Sequence, residues 1–228
     1  MATAPETGKG PSAQLVKELR DKTGAGFSDC RAALIEAGLD IEQALSVLRK
    51  KGQVAAAKKA QRATSEGLVS SYIHAGGKIG VLVEINCESD FVARTDDFQR
   101  LSHDIAMHIA ALDPHFVRRE EVTSEIVEVK KAAYCEEAKA TGKPEAVVEK
   151  IVSGKMEKFY EEACLYEQHF IKDEGITVKE LVDQAIAKLG ENIAVRRFAR
   201  FKVGESDGAA TGVAAFEGSD GAAPSLVK

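Results

Sequence analysis

Residues 79–91 are Ile-Gly-Val-Leu-Val-Glu-Ile-Asn-Cys-Glu-Ser-Asp-Phe, an aliphatic run that passes directly into an acidic residue and an aromatic one. The β-branched and aliphatic residues predict a strand, and Thr95 followed by two aspartates predicts a helix start. Asp90 and Phe91 are therefore expected at a strand-to-helix corner. Two interpretations are open: Phe91 folds back into the core beside an ordinary turn aspartate, or the pair is exposed for insertion into a partner.

The sequence on either side of this corner predicts a small antiparallel sheet. Residues 67–74 and 78–86 are both rich in strand formers, and the Gly-Gly pair between them suits a tight hairpin. The helix expected over residues 95–111 has apolar residues at helical spacing and should pack across the sheet. Residues 192–203 alternate enough to predict a returning strand that completes it.

Three short helices are predicted within residues 12–53, before the sheet. Ser12 is a candidate N-cap for the first, the second should stop at Gly38, and the third should end near Gly52. Together they predict a compact helical module. A helical linker over residues 54–66 would then connect this module to the sheet.

The remainder of the chain predicts further helices inserted into the sheet domain. Charged residues with an apolar stripe indicate a helical hairpin over about residues 123–166, with a helix stop and restart near Pro144. Thr177 and Glu180 form a capping-box pattern for a helix that continues to Leu189.

The predicted fold class is α+β. An N-terminal three-helix module precedes an αβ core over residues 67–203, which contains the helical hairpin. Residues 1–11 are expected to be flexible, and residues 204–228 are expected to be disordered because Gly, Ala, Ser and Asp dominate them.

The composition excludes several classes of protein. The 228 residues are 44% hydrophobic, as in globular proteins, and no run approaches the roughly 18 apolar residues of a membrane span. The start of the chain has neither a signal-peptide nor a transit-peptide pattern, so a cytosolic location is expected. The four cysteines are widely spaced, and buried thiols are expected rather than a disulfide or a zinc site.

The charge distribution favours an oriented protein partner. The net charge is −5, but residues 1–63 hold 11 Lys and Arg against 7 Asp and Glu, giving +4, so the rest carries −9. A module at +4 with few aromatic residues, in an acidic molecule, is a poor match for a phosphate backbone. We expect no direct binding of nucleic acid.

No catalytic constellation is visible in the sequence, and the protein is not expected to be an enzyme. His103 and His108 are five residues apart on a predicted helix and do not share a face. There is no HExxH motif and no nucleophile elbow. Glu88 and Asp90 could form an acid/base or Mg²⁺ pair at a cleft, which is the enzymatic alternative.

Two segments carry a resemblance to a known family. Residues 84–94, Glu-Ile-Asn-Cys-Glu-Ser-Asp-Phe-Val-Ala-Arg, resemble the second signature of the elongation factor Ts family, in which threonine normally occupies the position of Ser89. Residues 19–34 resemble the first signature, with Arg31 and Ala32 where the family usually has lysines. Similarity continues from His108 to the strand that ends near Val203.

The resemblance implies a guanine-nucleotide exchange factor that binds elongation factor Tu with GDP and promotes GDP release. By analogy, Phe91 is the wedge that inserts into the GTPase, and Asp90 disturbs its Mg²⁺ network, with Ser89 and Val92 in the same motif. Such a protein needs no cofactor, because GDP, GTP and Mg²⁺ are bound by the partner.

The resemblance also implies further contacts. The N-terminal module looks like a ubiquitin-associated fold, whose candidate contacts are Lys17, Leu19, Phe27, Arg31 and Lys59. At the hairpin tip, His74 and Gly76 match a family motif that faces the partner, although a plain turn is the alternative.

The number of core repeats bears on the oligomeric state. The sequence contains one hairpin-plus-helix repeat where family members can carry two, so a homodimer is expected if activity needs two core surfaces. The alternative function is a helical adaptor, in which the three-helix module binds a peptide or a ubiquitin-like surface and the αβ part is only structural.

Overall fold

The computed structural model describes residues 10–205, so the expected flexibility of residues 1–9 and disorder of residues 206–228 fall outside the described part. The α-helices of the described residues are α1 (Ala13–Thr23), α2 (Phe27–Glu36), α3 (Ile41–Lys59), α4 (Asp90–Ala93), α5 (Asp96–Leu112), α6 (Ser124–Lys139), α7 (Glu145–Ala163) and α8 (Val178–Leu189). The strands are β1 (Glu66–Ile73), β2 (Ile79–Cys87), β3 (His169–Phe170), β4 (Asp173–Thr177) and β5 (Ile193–Lys202).

Strand β2 is the centre of the main sheet. It pairs antiparallel with β1 on one edge and with β5 on the other, giving the order β1-β2-β5. The predicted hairpin, the returning strand and the α+β class are thereby confirmed. Because both edges of β2 are paired, neither can slip without breaking a ladder of hydrogen bonds.

One face of the sheet forms the core of the molecule. Alternate residues of β2 point to this face and are buried: Val81, Val83, Ile85 and Cys87. Helices α5 and α8 pack against this face, and Phe98 and Ile105 of α5 are fully buried there. The period-2 pattern of β2 and the amphipathic pattern of α5 therefore meet as expected from the sequence.

Gly67 permits the close approach of β1 to the end of β2. Its φ is +143°, and a Cβ placed on it would lie 2.2 Å from the carbonyl oxygen of Ile85. No side chain fits in that space, so the hairpin requires glycine at this position. Gly67 lies opposite Asn86, one residue before the end of β2.

The N-terminal helices form a second, smaller core that contains Val16, Leu19, Cys30, Ala33, Leu34, Ala37 and Ala44. The predicted N-cap is present, since Leu15 N–H donates to Ser12 Oγ at 3.2 Å. The predicted end of the third helix near Gly52 is wrong, because α3 continues to Lys59. Gly52 is buried where α3 packs on α8, and a Cβ there would lie 3.7 Å from the Asp183 carbonyl oxygen. This glycine therefore serves helix packing and does not stop the helix.

Helices α6 and α7 form the predicted helical hairpin and have their own small apolar cluster around Phe116, Met156 and Phe159. The predicted capping box of α8 is also present, with Thr177 and Glu180 each bonded to the other's backbone N–H. The short β3–β4 hairpin was missed by the sequence analysis. Its strands have two and five residues, which is too short to give a periodic signal. Within β4, Asp173 accepts from the Gly175 N–H at 3.0 Å.

A buried histidine connects α5 to the segment after α7. His108 is 0% exposed, its Nε2 lies 2.9 Å from Gln168 Oε1, and its Nδ1 accepts from the Ile171 N–H. The Gln168 amide nitrogen donates to the carbonyl oxygens of Glu162 and Leu112, which leaves its oxygen facing the ring. Burial lowers the pKa of His108 below its ordinary value of 6.5, so the ring is neutral.

We predict that His108 makes stability fall in mild acid. Its folded pKa lies below its unfolded pKa, so its contribution is complete above the unfolded value and is lost as the pH falls below it. The difference in unfolding free energy between the wild type and His108→Gln should shrink between about pH 7 and about pH 5, by at most about 1.4 kcal/mol per pH unit. Urea unfolding at the two pH values measures it, and a difference independent of pH contradicts the assignment.

Candidate protein-binding site at the strand-to-helix corner

The corner is a single helical turn whose inner side is anchored in the core. Ser89 is the N-cap of α4, and its hydroxyl oxygen accepts from the Val92 N–H at 3.4 Å. Val92 and Ala93 are buried in the main core. A turn of only four residues cannot be stable by itself, so its position depends on these buried side chains and on the cap.

Phe91 points away from the core. It is 78% exposed, the largest exposed fraction of any large hydrophobic residue among residues 10–205. The interpretation that Phe91 folds back as a core anchor is therefore wrong. Because its neighbours Val92 and Ala93 are buried, the ring is presented by a fixed backbone.

Asp90 lies beside the ring and is also exposed. Its Oδ2 accepts from Arg94 Nη2 at 2.7 Å, and the two side chains are 62% and 79% exposed. An ion pair so accessible to water contributes little, on the order of 0–1 kcal/mol. The Asp90 carboxylate can therefore exchange Arg94 for another partner at small cost.

Glu191, which the sequence analysis did not single out, binds the corner from the side. Its carboxylate accepts from the backbone N–H groups of Glu88 and Ser89 at 3.2 and 3.0 Å and from the Ser89 hydroxyl at 2.6 Å. No short motif marks such a residue, because its partners are more than a hundred positions away in the chain. An acid directly after the Gly190 C-cap of α8 is the only local signal.

The alternative pairing of Glu88 with Asp90 for acid/base or Mg²⁺ chemistry is not supported by their contacts. Glu88 Oε1 accepts from the Asn192 N–H at 2.6 Å and from Arg62 at 3.4 Å, whereas Asp90 binds Arg94. Within residues 10–205, no three His, Cys, Asp or Glu side chains are grouped so as to hold a metal ion.

Three of the five residues proposed for the N-terminal module are available at the surface. Phe27 is 52% exposed at the start of α2, and Lys17 and Arg31 are exposed. The prediction that Leu19 contacts the partner is wrong, because Leu19 is 0% exposed in the helical core and offers no contact surface. Lys59 is engaged within the chain, since its Nζ donates to the Ile186 carbonyl oxygen near the end of α8 at 3.2 Å.

His74 and Gly76 are exposed at the tip of the β1–β2 hairpin. His74 Nδ1 lies 3.1 Å from the Tyr72 hydroxyl, and Gly76 has a φ of +91°, which suits a glycine. The tip and Phe91 lie at opposite ends of β2, which at ~3.4 Å per residue is roughly 27 Å long. The structure therefore does not bring these two candidate surfaces together.

The cysteines are all free thiols, and Cys30, Cys87 and Cys164 are buried. Burial, with a smaller contribution from the Glu191 carboxylate, raises the pKa of the Cys87 thiol next to the corner. A thiol with a raised pKa is a poor nucleophile. Cys87 is therefore part of the packing beneath the corner.

An exposed aromatic side chain on an anchored turn is typical of a protein that acts by binding another protein. Protein-binding factor is the class that the fold and the site indicate. The comparison with known proteins gives the family, since the family model described as Elongation factor TS matches residues 13–205. The chain belongs to the elongation factor Ts family.

Individual relatives of the chain are proteins of the same family. The chain is 66% identical over 194 residues to elongation factor Ts from Koribacter versatilis, covering 85% of this chain and 89% of that protein. It is 57% identical over 201 residues to elongation factor Ts from Solibacter usitatus, covering 88% and 95%. It is 58% identical over 194 residues to elongation factor Ts from Fervidobacterium nodosum, covering 85% and 98%.

No helix in the described part of the chain combines the length and the apolarity that crossing a membrane requires.

We predict that Phe91→Ala leaves the fold intact. A ring that is 78% exposed buries little apolar area, so the change in unfolding free energy should lie within about 0.5 kcal/mol. Phe98→Ala is the matched control, since Phe98 is 0% exposed in the same region and its loss should cost about 3–5 kcal/mol. Chemical denaturation of both variants measures this, and a large loss in Phe91→Ala would show that the ring is a core anchor after all.

Proposed function

We propose that this chain is a guanine-nucleotide exchange factor in translation elongation: it binds elongation factor Tu with GDP and accelerates GDP release. The observation that carries the proposal is the exposed Phe91 on an anchored turn, in a chain that belongs to the elongation factor Ts family. The GDP, GTP and Mg²⁺ are bound by the partner, and the chain itself needs no cofactor and catalyses no covalent step. Its expected location is the cytoplasm, and direct binding of nucleic acid is not part of the proposal.

Exchange by a binding protein follows from thermodynamic linkage. If the chain binds the nucleotide-free GTPase more tightly than the GDP-bound form, GDP must be bound more weakly by the same factor when the chain is present. The GTPase holds its nucleotide through Mg²⁺, phosphate and base contacts. A wedge that displaces the groups around Mg²⁺ therefore removes a large part of the GDP affinity.

Phe91 suits the role of wedge because the surrounding backbone is already fixed. Val92 and Ala93 are buried, and Ser89 caps the turn, so little conformational entropy has to be lost when the ring enters a pocket. Because the ring is exposed in the free protein, its insertion into a pocket would bury most of its apolar surface. Asp90 beside it can release Arg94 and act on the Mg²⁺ and water network of the partner.

The N-terminal module supplies a second contact in this proposal. Phe27, Lys17 and Arg31 are the candidates that remain at its surface. The module, proposed to span residues 12–53, is expected from the family resemblance to have a ubiquitin-associated-like fold, and α1, α2 and the first part of α3 share one small core. His74 and Gly76 would face the partner at a separate place, since they lie far from Phe91 along β2.

We predict that Phe91→Ala nearly abolishes stimulated GDP release. An aromatic side chain at the centre of an interface contributes on the order of 2–4 kcal/mol, so the rate at a fixed low concentration should fall roughly 30-fold to 1000-fold. Val129→Ala is the matched control, because Val129 is 68% exposed on the remote helix α6. Release of a fluorescent GDP analogue from elongation factor Tu measures the rates. An inert wild-type protein rejects the exchange proposal and favours the helical adaptor.

We also propose that the chain forms a homodimer through the outer face of the sheet. The register places Ile73 and Phe201 on either side of Gly80 on that face, with Leu82 one pair further along. These three large side chains are 67%, 55% and 49% exposed, respectively. Exposed apolar residues on a sheet face can pair with their copies under twofold symmetry and would give two sheets packed face to face. Such a dimer supplies two copies of the core to one assembly.

A charge in the middle of this face should prevent the dimer. Leu82→Glu buries an unpaired carboxylate in each half of the proposed interface, so sedimentation should show a monomer where the wild type is a dimer. Val129→Glu is the control, since it adds the same charge at an exposed position of α6. A wild type that stays monomeric and is fully active sinks the homodimer proposal.

A further inference from the structure

We propose that Glu191 is a positioning residue for the exchange reaction: it holds the Glu88–Val92 turn so that Phe91 is presented in the inserting orientation. The proposal rests on the exchange function proposed above. Glu191 lies in the loop between α8 and β5 and would not touch the GTPase through this role. It would act on the reaction only through the turn.

The contacts of Glu191 are all made to the residues that precede Phe91. Oε2 accepts from the N–H groups of Glu88 and Ser89, and Oε1 accepts from the Ser89 hydroxyl. Two adjacent N–H groups and one hydroxyl directed at a single carboxylate form charge-assisted hydrogen bonds, which are stronger than neutral ones, and the bond from the hydroxyl is the shortest at 2.6 Å. The first two residues of the corner, Glu88 and Ser89, are thereby fixed at three points by one side chain.

The Ser89 hydroxyl connects this arrangement to the helical turn. It donates its proton to Glu191 and accepts from the Val92 N–H as the N-cap of α4. Because the proton is directed at the carboxylate, the lone pairs of the hydroxyl remain oriented toward Val92. Glu191 therefore orients the cap as well as the strand end, and the cap decides how the Asp90–Ala93 turn begins.

A reciprocal contact holds Glu191 itself in place. Glu88 Oε1 accepts from the N–H of Asn192. Backbone N–H groups of each segment therefore donate to a glutamate carboxylate of the other. The buried Asn192 side chain donates to the carbonyl oxygens of Ala60 and Arg62 just beyond α3, at 3.4 and 2.9 Å. Asn192 therefore fixes the end of α3, which belongs to the N-terminal helices, relative to the corner that carries Phe91.

The test uses Glu191→Gln, which replaces the carboxylate with an amide. The amide keeps the size of the side chain but directs an NH₂ group at one of the donors, so one or two of the three bonds are lost. Glu161→Gln is the matched control, because Glu161 is exposed near the end of α7. Each variant is made in the wild-type chain and in the Phe91→Ala chain.

The first measurement is GDP release from elongation factor Tu over a range of exchange-factor concentrations. Loss of charge-assisted bonds that hold the wedge should lower the maximal stimulated rate about tenfold or more in Glu191→Gln, with the melting temperature close to that of the wild type. In the Phe91→Ala chain the same substitution should have a much smaller effect, since the ring that Glu191 positions has been removed. Equal losses in both backgrounds, or an unchanged rate in Glu191→Gln, overturn the proposal.

The second measurement needs no partner. Amide hydrogen exchange at Glu88 and Ser89 should accelerate about tenfold or more in Glu191→Gln, while the amides of Ile105 and Ile109 in α5 stay protected. Unchanged hydrogen exchange at the Glu88 and Ser89 amides overturns the proposal even if the rate of GDP release falls. If the wild type fails to release GDP, the exchange function is rejected, and this measurement still decides whether Glu191 holds the turn.

Discussion

The pairing of β2 on both edges is the constraint on which the rest of the structure depends. With β1 on one side and β5 on the other, and Val81, Val83, Ile85 and Cys87 buried on one face, β2 has a single register. A slip of one residue would turn every one of these side chains toward water. The residues that follow Cys87 therefore leave the sheet at a fixed place and in a fixed direction, which is why an exposed ring there can act on a partner.

The support of the corner is distributed over distant parts of the chain. Val92 and Ala93 hold its inner side, whereas Glu191 and Asn192 bind it from the loop before β5. Asn192 also binds the chain just after α3, so the N-terminal module and the corner share one attachment. In the proposed exchange function, this attachment would hold the N-terminal module and Phe91 in one arrangement toward elongation factor Tu.

Local signals in the sequence predicted the elements that depend on local chemistry. The period-2 run of β2, the Gly-Gly hairpin and the capping box at Thr177 all have that character, and each is present. The predictions from sequence were wrong where tertiary packing decides the structure. Gly52 appeared to be a helix stop, but it lies in the buried contact of α3 with α8, and the burial of Leu19 follows from the helical core. Glu191 could not be found from spacing, because its partners are brought to it only by the pairing of β2 with β5.

The central claim is that Phe91 enters the nucleotide-binding domain of elongation factor Tu. The most direct measurement replaces Phe91 with the photoreactive p-benzoylphenylalanine, irradiates the complex with nucleotide-free elongation factor Tu, and locates the crosslink by mass spectrometry. The account predicts a crosslink to residues around the Mg²⁺ and phosphate site, suppressed by excess GDP. A crosslink confined to another domain of the GTPase, or one that excess GDP leaves unchanged, would contradict it.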